Sequence, residues 1–199
     1  MKQTIVRRID ALPTYGFGPQ SGPWWGAMAF IALEGMGFGI AIATYLYLYA
    51  VNPKWPLSSP PPDLWPGTLE TIVFVLSVIP NQLTNRVALR LDLHRVRMGL
   101  VIMSAIGLAL LAIRAIEFGH LNIRWDADAY GSVVWVILGL HTTHLATDVG
   151  DTIVLTVLMF TRHAQPRRFS DVTDNVFYWN FVVLAWLPLY FVLDWIPRL

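Results

Sequence analysis

Residues 131–160 read GSVVWVILGLHTTHLATDVGDTIVLTVLMF. As one helix this stretch rises about 45 Å at about 1.5 Å per residue, more than enough for a hydrocarbon core of about 30 Å. It contains two aspartates and two histidines but no lysine or arginine. Inserting a central Asp costs about 2.5–3.5 kcal/mol, whereas each Leu, Ile, Val or Phe returns only about 0.3–0.6 kcal/mol. Two aspartates therefore cancel most of what the aliphatic residues supply, and the polar side chains must face protein or water instead of lipid. Their spacing allows this. His141, His144, Asp148 and Asp151 follow at steps of three, four and three, which at about 100° per residue confines them to an arc of roughly 80°. His141 sits about 15 Å inside the helix, so the stripe runs from mid-membrane towards the end of the helix at residue 160.

Working outward, four further stretches reach or approach membrane-spanning length: 24–51, 69–84, 98–118 and 176–196. The second has a short apolar part and runs into the polar, arginine-bearing segment 81–97, so a helix that continues to about residue 93 and turns back in a hairpin is expected. The composition agrees with a membrane chain: 55% hydrophobic and 14% charged, with a mean hydropathy of +0.52, too apolar for a soluble domain. The expected fold is an all-α integral membrane protein, a bundle of five transmembrane helices forming one membrane domain over residues 1–199. Trp24, Trp25, Trp55, Trp65, Trp125, Tyr130, Tyr178, Trp179 and Trp195 fall close to the expected helix ends, as aromatic belts require.

Lysine and arginine set the orientation. Lys2, Arg7, Arg8, Arg86, Arg90, Arg95, Arg97, Arg162, Arg167 and Arg168 fall on one side, and Lys54, Arg124 and Arg198 on the other. The positive-inside rule then puts the N-terminus in the cytoplasm and the C-terminus outside. The outer connection 52–67 has six prolines among its sixteen residues and reads as a stiff cap more than a domain. Before the Pro19 to Pro23 cluster there is no continuous apolar run, so no cleavable signal peptide is expected.

Several classes are excluded. A net charge of +1 without a basic, aromatic-interleaved patch argues against nucleic acid as a partner. The absence of cysteine excludes disulfides, iron–sulfur ligation and thiolate copper sites. The five histidines include His94, His120 and His163 in or beside connections, a poor set for haem.

The stripe on the fourth helix admits three readings: packing glue between helices, a proton-conducting or interfacial seam, and a metal site built from His and carboxylate one turn apart. Glu34, about 15 Å deep in the first helix, is either a lipid- or subunit-facing anchor or a satisfied interhelical hydrogen bond. Gly35, Gly39 and Ala43 around it would let another helix approach closely. Glu117 and Asp194 read as interfacial.

In order along the chain, these pieces resemble subunit III of the haem-copper terminal oxidases in its short, five-helix form. Trp24-Trp25-Gly26 followed by Glu34 and Phe38 is similar to that family's helix with a buried glutamate. Asn81-Gln82-Leu83-Thr84 through Arg97-Met98-Gly99-Leu100 resembles its short hairpin, and Glu117-Phe118 with Asp126, Tyr130, Gly131 and Ser132 its outer loop. Gly139-Leu140-His141-Thr142-Thr143-His144 looks like its glycine-apolar-His-x-x-His helix, and Tyr178-Trp179-Asn180-Phe181 with Trp186 and Tyr190 like its closing helix. Asn180 stands where the family usually has histidine, Val183 where aspartate is frequent and Asp148 where glycine is usual. Polarity has moved from the fifth helix to the fourth, as in a divergent branch. The resemblance implies an accessory subunit of a cytochrome c or quinol oxidase with no redox centre of its own. Haem and copper are expected in partner subunits, with catalytic subunit I and structural phospholipid as neighbours and the bacterial inner membrane as location. Glu34, His141, His144, Asp148 and Asp151 are the expected interface or proton-relay residues, with Trp24, Trp25, Tyr178, Trp179 and Asn180 behind them. The accessory protein of a nitric oxide reductase is the related alternative, and an independent proton or metal transporter the unrelated one.

Overall fold

The structure, a computed structural model, describes residues 16–162 and 164–199; Lys2, Arg7, Arg8 and His163 lie outside the described residues. Five long helices follow a short turn at Gly18–Gln20: α1 (Gly22–Val51), α2 (Leu64–Leu89), α3 (Leu93–Gly119), α4 (Ala129–Phe160) and α5 (Pro166–Tyr190). α5 runs on through a π-helical turn, Phe191–Trp195, and a 3-10 turn, Ile196–Arg198. All five are long and apolar enough to cross a membrane, so the chain is a multi-pass membrane protein.

The helix starts have local causes. Asp92 accepts a hydrogen bond from the Arg95 backbone N–H at 3.2 Å and Asp128 from that of Gly131 at 2.8 Å, capping α3 and α4. Pro23 and Pro166 occupy first-turn positions of α1 and α5, where a missing N–H costs nothing. The α2–α3 turn is three residues long, with Leu91 at φ 57.

Several expected boundaries shift. α2 begins at Leu64 and continues unbroken through Asn81 to Leu89 despite Pro80, because Asn81 and Thr84 turn inward and are buried. α5 begins at Pro166, ten residues before the expected 176. Tyr178 and Trp179 are therefore mid-helix residues and not members of an aromatic belt; Trp179 is fully buried. The polar run 166–175 had concealed that start, yet Phe169, Val172 and Val176 supply an inward stripe through it.

α2, α3, α4 and α5 pack in a closed ring, each against the next and α5 back onto α2, while α1 lies outside the ring against α4 and α5. The main core joins Phe74, Leu110, Ile137, Leu138, Trp179 and Trp186. A smaller core of Ala88, Val96, Leu100, Leu155, Met159, Phe169 and Val172 lies where the helix ends run past the length a bilayer needs. Close approach is engineered at Gly107, where an added Cβ would lie 2.5 Å from Val149 Cγ2 of α4. Of the expected small-residue contact at Gly35, Gly39 and Ala43, only Gly35 is met among the described residues, its Cβ position lying 3.9 Å from Phe181 of α5. A Cβ at Gly39 would meet nothing within 4 Å, and Ala43 is exposed.

The two ends differ. At one, Arg97 Nε donates to the Met159 carbonyl at 2.7 Å and Ser170 Oγ to that of Gly16 at 2.6 Å. This end gathers the connections bearing Arg86, Arg90, Arg95, Arg97, Arg162, Arg167 and Arg168. At the other, the proline-rich cap is pinned by Asn122 Nδ2 to the Pro61 carbonyl and Asp63 Oδ1, both 3.1 Å, and by Asp63 N–H to the His120 carbonyl at 3.0 Å. Arg198 donates there to the carbonyls of Pro62 and Asp194.

Candidate functional site

α1 is fastened to the ring by one polar knot. Glu34 accepts from the Tyr178 hydroxyl at 2.7 Å through Oε2, and its Oε1 lies 3.1 Å from His144 Nε2. His144 Nδ1 donates to the Leu140 carbonyl at 2.6 Å. A carbonyl can only accept, so the Nδ1 proton is fixed and Nε2 is the atom that shares a proton with Glu34. Three helices, α1, α4 and α5, meet in this one cluster.

Toward the basic end, the amide of Asn175 on α5 donates to Asp148 Oδ1 at 3.0 Å and to Asp151 Oδ2 at 3.2 Å, while its Oδ1 accepts from Thr152 at 3.2 Å. Asp148 is 2% exposed, yet its Oδ2 has no hydrogen-bond partner. Asp151, expected to face protein or water, is exposed and lies on the rim of a groove of about 770 Å³ between α1, α4 and α5. Glu34, His144, Asp148, Asp151, Asp174 and Tyr178 line it, with Phe30, Val154 and Leu158 as apolar wall.

His141 does not belong to that groove. Its Nε2 donates to the Val182 carbonyl at 3.1 Å, and its Nδ1 accepts from Arg114 Nη2 at 3.3 Å. The Phe38 ring separates it from His144, with centroids 4.8 Å from His144 and 6.0 Å from His141. The single stripe read from the sequence is thus two sites. His141 joins a buried ionic cluster in which Arg114, 1% exposed, pairs with Glu70 Oε1 at 3.2 Å and Glu117 Oε2 at 2.8 Å and lies 4.0 Å from the Trp186 ring centroid. Glu117 and Asp194, which read as interfacial, are buried within the bundle. Both reach over Gly67, where a Cβ would stand 2.8 Å from Asp194 Oδ2 and 3.2 Å from Glu117 Oε1.

The remaining expected residues divide similarly. Trp24 packs on Phe177, centroids 5.7 Å apart, and the exposed Trp25 donates to the Pro19 carbonyl at 3.0 Å. Trp179 Nε1 donates to Ser77 Oγ at 2.9 Å, and Asn180 Oδ1 accepts from Asn81 at 3.2 Å and Gln82 at 3.1 Å. Both fasten α5 to α2, away from the groove. Sequence reasoning missed Glu70 and Glu117 as partners of Arg114, and Asn175 as the link between the aspartates. The available signal was Arg114 itself: a guanidinium amid apolar residues requires carboxylates, and Glu117 stands three residues on.

The profile of Cytochrome c oxidase subunit III matches residues 20–197. The chain belongs to this family. It is 27% identical to "Cytochrome c oxidase subunit 3" of Synechocystis, over 94% of this chain and 84% of the relative. It is also 27% identical to "Probable cytochrome c oxidase subunit 3" of Mycobacterium tuberculosis H37Rv, over 86% of each. For the subunit of the echidna Tachyglossus aculeatus the identity is 26%, over 88% of this chain and 70% of the relative. Family membership makes the chain an oxidase subunit III of the respiratory chain.

Proposed function

We propose that the chain is the non-catalytic structural subunit III of a terminal respiratory oxidase of the bacterial inner membrane, packed beside catalytic subunit I, with haem and copper in its partners. The observation that carries this reading is the use made of the buried polar groups. Glu34, Tyr178 and His144 hold α1 to the ring, while His141 and Arg114 hold α3, α4 and α5 together. A transporter would need a polar path through the bundle, and Phe38 interrupts the stripe midway.

α1 offers the surface for a neighbour. Its outward face exposes Leu33, Met36, Ile40 and Tyr47, and a Cβ at Gly26, Gly37 or Gly39 would meet nothing within 4 Å. Small residues on an apolar helix face favour close packing by another transmembrane helix, and the flanking aliphatic rows suit acyl chains. This supports contact with subunit I and retained phospholipid. The gathering of seven arginines at one end favours that end as cytoplasmic, N-terminus inside and C-terminus outside. The polar groove then lies toward the cytoplasmic side, and the subunit supports proton uptake and catalytic lifetime by fixing the geometry of that contact. Deleting the chain tests the reading. The remaining complex should keep its haem and copper spectra but lose activity sooner during turnover. Loss of a haem band from an otherwise assembled complex would overturn it.

A further inference from the structure

Three carboxyls of the groove have no cation. Glu34 has His144 and Asp171 has Arg168, at 3.1 and 2.7 Å, whereas Asp148, Asp151 and Asp174 form no ion pair among the described residues. Both oxygens of Asp174 and Oδ2 of Asp148 are buried without hydrogen-bond partners, and all three residues line the same open groove. Buried carboxylates at membrane depth are paired in native assemblies, because an uncompensated charge there is costly. Among the described residues nothing supplies that partner.

Its chemistry is constrained. Among the described residues no three acidic or histidine side chains converge to hold a metal ion, so the carboxyls are strung along the groove and do not form a cage. A guanidinium prefers a carboxylate with both oxygens free for a bidentate fork. Asp148 and Asp151 each offer one, since Asn175 takes Oδ1 of the first and Oδ2 of the second, and of the three only Asp174 keeps both. A lone ammonium on a slender aliphatic stem fits better: its charge is compact and needs no planar face, and the stem can lie against Phe30, Val154 and Leu158 on the way in. An ethanolamine phospholipid would bring its phosphate, two carbons from the amine, into the same negative field, where Arg168 is already committed to Asp171.

We propose that the groove between α1, α4 and α5 receives a lysine side chain of a neighbouring subunit, its ammonium seated on Asp148 and Asp151. The proposal rests on the reading of the chain as a subunit of a larger complex. It is tested by treating the intact complex in native membranes with a water-soluble carbodiimide, which joins a carboxyl to an amine already in contact, and sequencing the joined peptides by mass spectrometry. The expected product links the α4 peptide bearing Asp148 and Asp151 to a lysine peptide of another subunit, and is lost in the Asp148→Asn/Asp151→Asn variant while crosslinks elsewhere persist. Should that variant fail to assemble, the wild-type product decides alone. An aminophospholipid or small-amine adduct at these positions, or a link to Lys2 of the same chain, would overturn the proposal, as would no product when other carboxyl–amine pairs react, and all of these leave the subunit reading intact. Purification of the chain free of haem-bearing subunits would overturn both.

Discussion

Replacing Arg114 with methionine removes the one guanidinium that serves Glu70, Glu117 and His141 together, at 3.2, 2.8 and 3.3 Å. Methionine fills much of the same volume, so what is lost is charge and donors more than packing. Glu70 and Glu117 are left facing one another in a site that is almost wholly buried, with Glu70 at 0% exposure. Removing one partner of a buried ionic group costs about 3–5 kcal/mol, or about two to three and a half decades in the folding equilibrium at about 1.4 kcal/mol per tenfold. The triple variant Glu70→Gln/Arg114→Met/Glu117→Gln removes charge from all three positions. Apolar replacement of a buried triad ranges from neutral to stabilising by about 1–4 kcal/mol; glutamine removes the charge and keeps the volume but leaves buried amides, so the triple variant should recover part of the loss. Denaturation of the purified chain in mixed micelles, followed by helical circular dichroism, measures both. If Arg114→Met proved no worse than a lipid-facing control such as Ile102→Ala, or if the triple variant fell further than the single one, the cluster would not be ionic and the reasoning would fail.

Three more expectations use the same measurement or simple topology probes. Tyr178→Phe and Glu34→Leu should each loosen α1 by about 0.6–1.7 kcal/mol, the range for interhelical hydrogen bonds in membranes, seen as faster labelling of a cysteine placed at Ala27; equal labelling rates would refute the knot. Gly107→Ala should destabilise by about 1–3 kcal/mol by pressing on Val149, whereas Gly39→Ala, with open space at its Cβ, should gain up to about 1 kcal/mol from helix propensity; matching effects at the two sites would contradict the packing. Reporter fusions within the cap at residues 53–63 should report the outside, and a cytoplasmic signal there would reverse the proposed orientation.

Hydropathy made the five helices legible because lipid demands long apolar stretches whatever the tertiary contacts. Glu34 and His144 could be singled out by depth alone, since a charge inside the bilayer must have a reason. What periodicity could not reveal was the splitting of the fourth-helix stripe. His141 and His144 are neighbours on one helical face, and only the Phe38 ring, brought in from α1, assigns them to different sites. Glu117 and Asp194 read as interfacial because they stand near helix ends. The fold buries them by extending α2 back to Leu64, so that Gly67 passes beneath both carboxyls. The start of α5 was hidden because residues 166–175 are charged, and their inward face depends on a second core formed by helix ends from α2, α3 and α4.

The proline-rich cap has a mechanical consequence. It ties the α1–α2 connection to the α3–α4 connection and to the chain's last residues, while Tyr45 of α1 is held by the Trp55 Nε1–H at 2.9 Å. α1 is therefore held at the cap end, halfway along by Glu34, and near its start by Trp24 on Phe177 and by the Gly16 carbonyl on Ser170. The half of α1 that precedes Glu34 forms one wall of the groove. A neighbour that presses on α1 from outside would narrow or widen the groove without touching an aspartate.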